Sequence, residues 1–252
     1  MLKALLFDMG GTLENTARRC ECNTACGRKI LSYLETHGVR IAMEPEEFMR
    51  VCGEKNEEYR RWGTESRREL SPYEIWSRYY LKDFEVDQEK LRIIAENLTN
   101  IWERTFYTRS LRKGAPAMLE RIRERGLAMG IISNTPSLTH VIENLYETGI
   151  HPYFAGCVYL SSLSGCRKPG RAIFVEAAAD LGAKPSEAVY VGDTVSRDVR
   201  GAREAGYLAT IRIASELTAG ADAGFNERRE EADYLIEDLA EIPGIVDSLR
   251  GT

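Results

Sequence analysis

The amino-acid sequence predicts an α/β protein whose core is a doubly wound, Rossmann-like parallel sheet, with an all-helical segment inserted after the first strand. The apolar run Ala4–Phe7 has the length of a strand buried on both faces, and it stops at Asp8. Residues 15–109 then show helical spacing. From residue 110 onward, short apolar runs alternate with helical patterns. This alternation implies parallel strands joined by right-handed crossovers, with helices on both faces of the sheet.

Composition is that of an ordinary globular protein and argues against several function classes. The 252 residues allow one large domain or two ordinary ones, and 43% hydrophobic with 29% charged residues can build a sizeable core. A net charge of -5 gives no reason to expect nucleic acid or a membrane surface as a partner. No apolar run approaches the roughly 20 residues that span a bilayer, and the chain enters its first strand directly, without room for a signal peptide. We therefore expect a cytoplasmic protein, either a monomer or a homodimer.

Six cysteines are present, and three of them, Cys20, Cys22 and Cys26, form a cluster. Disulfides are rare in the cytoplasm, so we expect thiols. A structural zinc site usually combines two closely spaced cysteine pairs, and the sequence offers no good second pair. We interpret the cluster as thiols on or near a helix.

The inserted segment is predicted to be helical, with no convincing strand between Asn15 and Arg109. Ser71 and Pro72 are typical of a helix N-cap followed by proline at the first helical position, and Asp87 is a second N-cap. Apolar spacing predicts helices at about residues 15–37, 45–51, 54–70, 73–81 and 88–106. The aromatic side chains of this segment are expected to form its core: Tyr59, Trp62, Trp76, Tyr79 and Tyr80.

The rest of the chain is predicted to alternate between helix and strand. Strands are expected at about residues 128–132, 157–160, 187–191, 208–213 and 233–236, the last of them at an edge. Helices are expected at about residues 115–125, 138–147, 171–181, 197–205 and 239–249. The polar stretch from Ala214 to Glu231 is predicted to be a long surface loop.

Polar side chains stand at or just after the ends of the predicted strands: Asp8, Ser133 with Asn134, Lys168, and Asp193 with Asp198. Since the carboxyl ends of parallel strands lie on one rim, these distant residues can meet there. Each of them alone has an ordinary explanation as a turn or surface residue. Together and in this order they favour a functional site, with Asp8 as the candidate nucleophile.

The chemistry of this set is coherent for phosphoryl transfer. Asp8 and Asp193 supply hard oxygen ligands suited to Mg2+. Lys168 is expected to neutralise both the nucleophile and the phosphoryl oxygens. The side chains of Ser133, Asn134 and Thr12 offer further hydrogen-bond donors.

Four stretches, FDMGGTL, IISNT, CRKPG and GDTVSRD, resemble the motifs of the haloacid dehalogenase superfamily. The resemblance implies that Asp8 accepts the phosphoryl group and that Ser133 and Lys168 bind it. It also implies that Asp193, helped by Asp198, holds Mg2+ together with the backbone carbonyl of Gly10. The helical insertion is similar to the family's first type of cap domain. We therefore expect a core domain of residues 1–14 and 110–252 and a cap domain of residues 15–109.

Gly10 is a departure from the pattern of the family's phosphatases, which usually carry a second Asp at this position. The resemblance implies that this Asp protonates the leaving oxygen and later activates water. General acid–base catalysis is worth about 10²–10⁴ in rate, and glycine cannot supply it. The leaving group could be one that needs no proton, as in an acyl or aryl phosphate. Alternatively, a cap residue or an ordered water could replace the acid; Glu14 is the nearest carboxylate, although a hinge or helix-start role is favoured for it.

Other branches of the family stay open. Phosphonatases also lack the second Asp and use a lysine imine, for which Lys29 or Lys55 could serve. The dehalogenase branch, which uses no magnesium, is disfavoured by the two carboxylates of GDTVSRD. The preferred prediction is a Mg2+-dependent phosphohydrolase that acts on a small phosphorylated metabolite through an aspartyl-phosphate at Asp8. A phosphate-binding protein with impaired turnover is the alternative outside enzymes.

Two further predictions concern polar residues near the hinge and the histidines. Asn15 and Thr16 stand at the first hinge, where the family often places a polar pair that faces the cleft. The histidines His37, His140 and His151 show no metal-ligand spacing and are expected at helix ends or in loops.

Overall fold

The computed structural model describes residues 1–18, 21–154, 156–215, 222 and 231–251. The strands are β1 (Ala4–Phe7), β2 (Glu14–Arg18), β3 (Tyr107–Leu111), β4 (Ala128–Ser133), β5 (Val158–Leu160), β6 (Ala188–Gly192), β7 (Ala209–Ile213) and β8 (Tyr234–Ile236). The α-helices are α1 (Glu21–Thr36), α2 (Pro45–Ser66), α3 (Pro72–Ile75), α4 (Gln88–Phe106), α5 (Ala115–Glu124), α6 (His140–Glu147), α7 (Ser161–Ser164), α8 (Arg171–Asp180), α9 (Arg200–Ala205) and α10 (Ile242–Arg250). π-helical turns follow at Trp76–Tyr80 and Val195–Val199, and 3₁₀ turns at His151–Tyr153, Pro185–Glu187 and Leu239–Glu241.

The central sheet has the strand order β5-β4-β1-β6-β7-β8, and all of its pairings are parallel. β1 lies between β4 and β6 and is buried on both faces. Leu5 and Phe7 pack into the hydrophobic core on one face of the sheet, whereas Ala4 and Leu6 pack into the core on the other. This alternation confirms the predicted doubly wound α/β fold, because a strand covered by helices on both sides is apolar at every position.

The inserted segment has a hydrophobic cluster of its own, built from α1, α2, α4 and the turn between α3 and α4. Trp76 is fully buried in it and donates a hydrogen bond from its ring nitrogen to Thr99 Oγ1 at 2.8 Å. Ser71 forms the predicted N-cap as a capping box with Glu74, and Asp87 caps α4 by accepting from the backbone N–H groups of Glu89 and Lys90. The division of the chain into two domains stays a prediction.

The prediction of a segment without strands is wrong at both of its ends. β2 and β3 pair antiparallel, with Thr16 opposite Arg109, and form a two-stranded ribbon where the chain enters and leaves the insertion. The two partners lie about ninety residues apart in the sequence, with Glu14 opposite Leu111 at one end. A single short strand has no stability of its own, so its pairing could not be predicted from local patterns.

The second difference lies in the middle of the insertion. The predicted helices at 45–51 and 54–70 are a single helix, α2. Gly53 lies inside it, and a β-carbon at Gly53 would meet nothing within 4 Å. An isolated glycine costs a helix only about 1 kcal/mol, so packing along the helix overrides it. In the predicted helices at 73–81 and 197–205, parts of the chain form π-helical turns, and α7 was not predicted.

Cys52, Cys157 and Cys166 are thiols, and Cys26 is buried in the helical layer. Cys20 and the side chain of Cys22 lie outside the described residues, as does most of the predicted loop from Ala214 to Glu231. In the part of the chain that the structure describes, no helix combines the length and the apolar character needed to cross a membrane.

Candidate active site

The candidate site lies at the carboxyl edge of the three central strands. Asp8 directly follows β1, Ser133 ends β4, and Asp193 follows β6. The backbone N–H of Asp8 donates to the carbonyl of Val191 at 2.9 Å, so the end of β1 is fixed beside the end of β6. Residues more than a hundred positions apart thereby meet on one rim, as the parallel order predicts.

Three carboxylates form the centre of the site. Asp8, Asp193 and Asp198 are all buried, and each offers one oxygen within 4.8 Å of the others. Lys168, which is 3% exposed, places its ammonium 2.8 Å from Asp8 Oδ1 and 2.7 Å from Asp198 Oδ1. The structure therefore brings together four of the residues that the sequence singled out.

Burial and crowding of charge set the pKa values of these carboxyls. Burial, together with the charges of Asp198 and Asp8, raises the pKa of Asp193 to about 7. Burial also raises the pKa of Asp8, although Lys168 opposes it. Asp198 is buried too, but Lys168 and Arg197 overcome the effect and hold its pKa at about 2. Asp198 is thus the settled anion that anchors the lysine, and the other two carboxylates would gain from a further cation.

This donor set fits a hard divalent cation. Carboxylate oxygens that converge on one point, with raised pKa values for lack of positive charge, suit Mg2+ better than softer metals. Asp8, Asp193 and Asp198 would hold it, with the backbone carbonyl of Gly10 as the predicted further ligand.

Glycines beside these carboxylates leave room for them. Gly11 has a φ of 86°, and a β-carbon there would lie 2.3 Å from Asp193 Oδ2. At Gly192, a β-carbon would lie 2.4 Å from Cβ of Asp198. Both positions therefore require glycine to keep the acidic side chains in place.

Tyr190 is a residue of the site that the sequence analysis missed. Its hydroxyl accepts a hydrogen bond from Lys168 Nζ at 3.0 Å and lies 3.1 Å from Asp198 Oδ1 and 3.3 Å from the carbonyl of Ile132 as donor. Burial and the charges of Asp198 and Asp8 raise its pKa well above its ordinary value, so it stays a neutral donor and acceptor. The available signal was a tyrosine inside a buried strand, because its hydroxyl needs partners there.

Asn134, a predicted phosphate-binding residue, uses both ends of its amide on the backbone of Lys168. Its Nδ2 donates to the Lys168 carbonyl at 3.0 Å, and its Oδ1 accepts from the Lys168 N–H at 2.8 Å. In this structure Asn134 therefore positions the lysine. Ser133 is 7% exposed beside it, and the hydroxyl of Thr12 is buried without a hydrogen-bond partner among the described residues. Phosphate binding by these residues stays a prediction.

Asp222 is a second residue that the sequence analysis did not identify. It lies in the stretch predicted to be a surface loop, yet it is only 5% exposed. Its carboxylate accepts from the backbone N–H of Val195 at 2.8 Å and of Ser196 at 2.9 Å. These bonds cap the turn that carries Asp198, as acidic side chains commonly cap helical turns.

Glu14 begins β2 and is 1% exposed, so it is not the helix-start charge that the sequence favoured. Its carboxylate accepts a hydrogen bond from Asn144 Nδ2. Burial raises its pKa to about 7, a rise opposed by the charge of Arg109 and reinforced by that of Asp8. A carboxyl with such a pKa near Asp8 exchanges protons close to neutral pH.

The predicted hinge pair does not face one cleft. Thr16 is buried, whereas Asn15 is exposed on the opposite face of β2. Successive side chains of a strand point to opposite sides, which a helical interpretation of this segment could not anticipate. His140 lies at the start of α6 as predicted, but it is buried, and burial with the nearby Arg109 and Arg104 lowers its pKa to about 3.

The two cap lysines considered for imine chemistry have other surroundings. Lys55 forms an ion pair with Asp83 at 3.1 Å. Lys29 lines a groove of about 470 Å³ between α1 and α4, together with Arg28 and Tyr33.

The chain matches known proteins along most of its length. The model of the haloacid dehalogenase-like hydrolase family matches residues 2–206. A glyceraldehyde 3-phosphate phosphatase of Methanopyrus kandleri is 30% identical over 213 residues, covering 84% of each chain. A protein of the same name from Pyrococcus furiosus is 24% identical over 251 residues, which are 100% of this chain and 95% of the relative.

Solved structures agree on the architecture. A phosphatase of the same superfamily from Thermococcus onnurineus is 25% identical with a TM-score of 0.57, covering 97% of this chain and 98% of that one. A 2-haloacid dehalogenase from Pseudomonas syringae has a TM-score of 0.66 at 20% identity, covering 98% and 99%, and shows the likeness in fold alone. With its family match, its sheet and its rim of acidic residues, the chain belongs to the haloacid dehalogenase-like hydrolases.

Proposed function

We propose that this hydrolase is a Mg2+-dependent phosphatase that acts on a small phosphorylated metabolite and forms an aspartyl-phosphate at Asp8. The observation that carries the proposal is the ammonium of Lys168, which bridges Asp8 and Asp198 beside the third carboxylate, Asp193. A lysine placed this way can lower the repulsion between an attacking carboxylate and a phosphoryl dianion.

In the proposed reaction, one carboxylate oxygen of Asp8 attacks the phosphorus while the ester oxygen leaves. The second oxygen is held by Lys168, whose three ammonium protons have acceptors in Asp8, Asp198 and Tyr190. This fixed lysine orients the nucleophile before substrate arrives, which lowers the reorganisation needed in the transition state. A bound Mg2+ would supply charge neutralisation between the nucleophile and the phosphoryl oxygens.

The substrate class is proposed from the relatives. Two of them, from Methanopyrus kandleri and Pyrococcus furiosus, bear the name glyceraldehyde 3-phosphate phosphatase, and they match 84% and 100% of this chain. We infer that a short sugar phosphate is the first substrate to test. We also propose that residues 15–109 act as a cap over residues 1–14 and 110–252, and that the protein works in the cytoplasm.

Gly10 favours one alternative specifically. Without a carboxylate at this position, the protein would turn over esters with good leaving groups far better than alkyl esters. In the extreme case it would bind phosphate without turnover, and a phosphonate would be the substrate of the carbon–phosphorus branch.

The test is phosphate release from glyceraldehyde 3-phosphate, p-nitrophenyl phosphate, acetyl phosphate and phosphonoacetaldehyde, each with Mg2+ and with EDTA. We expect release from at least one phosphate ester or anhydride, loss of release in EDTA, and no activity in Asp8→Asn. The exposed Asp180→Asn is the matched control and should behave as the unsubstituted protein. Release from phosphonoacetaldehyde alone, or binding of phosphate without any release, would overturn the phosphatase proposal.

A further inference from the structure

Thr16 on β2 carries a hydroxyl whose situation calls for an explanation. The residue is 7% exposed, and its Oγ1 is buried without a hydrogen-bond partner among the described residues. Buried hydroxyls in folded proteins nearly always have a partner, since an unpaired one loses its hydrogen bonds to water. The alternation along β2 and its register place Thr16 on the same face as Glu14 and Arg109.

The hydroxyl lies beside Gly10, the position where the family's phosphatases carry their second acid. A β-carbon at Gly10 would lie 3.4 Å from Thr16 Oγ1 and would meet no other heavy atom within 4 Å outside its chain neighbours. The surroundings of Gly10 can thus take a small group, and Thr16 is the polar wall of that space. β2 is held there because its first residue, Glu14, bridges to Gly10.

We infer that Thr16 is a positioning residue, which holds a water molecule next to Gly10 and orients it toward the phosphorus of the aspartyl-phosphate. This inference rests on the proposed function. The hydroxyl accepts a hydrogen bond from the water and leaves a lone pair of the water oxygen free to attack. A space lined by glycine and a hydroxyl holds water where a carboxylate side chain would exclude it.

The step balances without a carboxylate at residue 10. The water oxygen forms a bond to phosphorus, and the bond from phosphorus to the Asp8 oxygen breaks and returns its electron pair to the Asp8 carboxylate. One proton of the water ends on the departing phosphate. Thr16 neither gains nor loses a proton, so its effect is confined to hydrolysis of the intermediate and does not extend to the first transfer.

This confinement gives the test. Rapid-mixing kinetics with p-nitrophenyl phosphate and Mg2+ separate the first release of nitrophenol from steady-state turnover. We expect Thr16→Val to lower steady-state turnover roughly tenfold, the effect of one hydrogen bond made in the transition state, while the rate constant of the first release is unchanged. Thr16→Ser, which keeps the hydroxyl, should stay close to the unsubstituted protein.

Thr108→Val is the matched control, because Thr108 lies in the same ribbon and its hydroxyl donates to the carbonyl of Ala17. It should leave both phases unchanged. If thermal unfolding shows that Thr16→Val does not fold, Thr16→Ala replaces it with the same expected result.

Two results would overturn the inference: steady-state turnover unchanged in Thr16→Val, or a first release that slows by the same factor as turnover. Failure of the proposed function looks different, because the unsubstituted protein would then show no Mg2+-dependent release, or Asp8→Asn would retain it.

Discussion

The hydroxyl of Tyr190 lies 3.0 Å from the ammonium of Lys168, underneath the site, and completes the three acceptors that an ammonium requires. The other two acceptors are the carboxylates of Asp8 and Asp198. Tyr190 thereby fixes the direction in which Lys168 points, although it stands inside a buried strand and is 1% exposed.

We predict that Tyr190→Phe lowers kcat about tenfold, because one N–H of Lys168 loses its acceptor and the ammonium is no longer held in one direction. The ring and its packing stay, so the fold should survive. The measurement is steady-state turnover together with urea unfolding. Tyr207→Phe is a suitable control, since the Tyr207 hydroxyl bonds only to the Phe174 carbonyl among the described contacts. Equal kcat in Tyr190→Phe and in the unsubstituted protein would contradict the assigned role.

The close approach of Gly11 to Asp193 gives a second prediction. Gly11→Ala should lower activity by roughly 100-fold or more, since its β-carbon would displace the Asp193 carboxylate from the metal position. Gly114→Ala is the matched control, because Gly114 also has a positive φ, 89°, but a β-carbon there meets nothing within 4 Å. That variant should lose only about 1–2 kcal/mol of stability from backbone strain. Similar activity losses in the two variants would show that the clash with Asp193 has no consequence.

Glu14 predicts a pH dependence of stability. Its folded pKa of about 7 lies above the ordinary value of 4.5, so the folded protein binds one proton more than the unfolded chain between these values. The contribution of this group to the free energy of unfolding therefore falls as pH rises through that interval. In Glu14→Gln this fall is absent, and the variant should gain roughly 3 kcal/mol relative to the unsubstituted protein between about pH 4 and pH 8.

Urea unfolding in EDTA at several pH values measures this difference. The exposed Glu85→Gln should show a constant difference over the same range. A pH-independent difference for Glu14→Gln would mean that the carboxyl titrates normally.

Glu96 of α4 provides a fourth prediction, because it ties the helical layer to the loop that follows β4. Its carboxylate accepts from Ser137 Oγ at 2.7 Å, from the Leu138 N–H at 3.0 Å and from the Thr139 N–H at 3.1 Å. Glu96→Ala should lower the free energy of unfolding by about 1–3 kcal/mol, since these buried donors lose their acceptor. It should also raise KM more than it lowers kcat, because the contact holds the helical layer and not the reacting groups.

The matched control is Glu89→Ala at the exposed start of the same helix, which we expect to stay within about 0.5 kcal/mol. Urea unfolding and steady-state kinetics measure both effects. A stability of Glu96→Ala equal to that of Glu89→Ala would remove the basis for this connection.

Local sequence patterns were sufficient for the sheet and for the main residues of the site. Buried strands announce themselves as short apolar runs, and the rule that parallel strand ends share one rim was enough to bring Asp8, Asp193 and Lys168 together. Ser71 and Asp87 were recognised as helix caps because capping depends on neighbours three residues away.

Contacts between distant parts of the chain were needed for everything else about the site. The β2–β3 ribbon, the partners of Tyr190, the cap that Asp222 provides and the burial of Glu14 all join residues far apart in sequence. The face that Thr16 presents depends on the same ribbon. Such pairings are stable only when the whole fold holds both partners in place, so no window of neighbouring residues contains the information that predicts them.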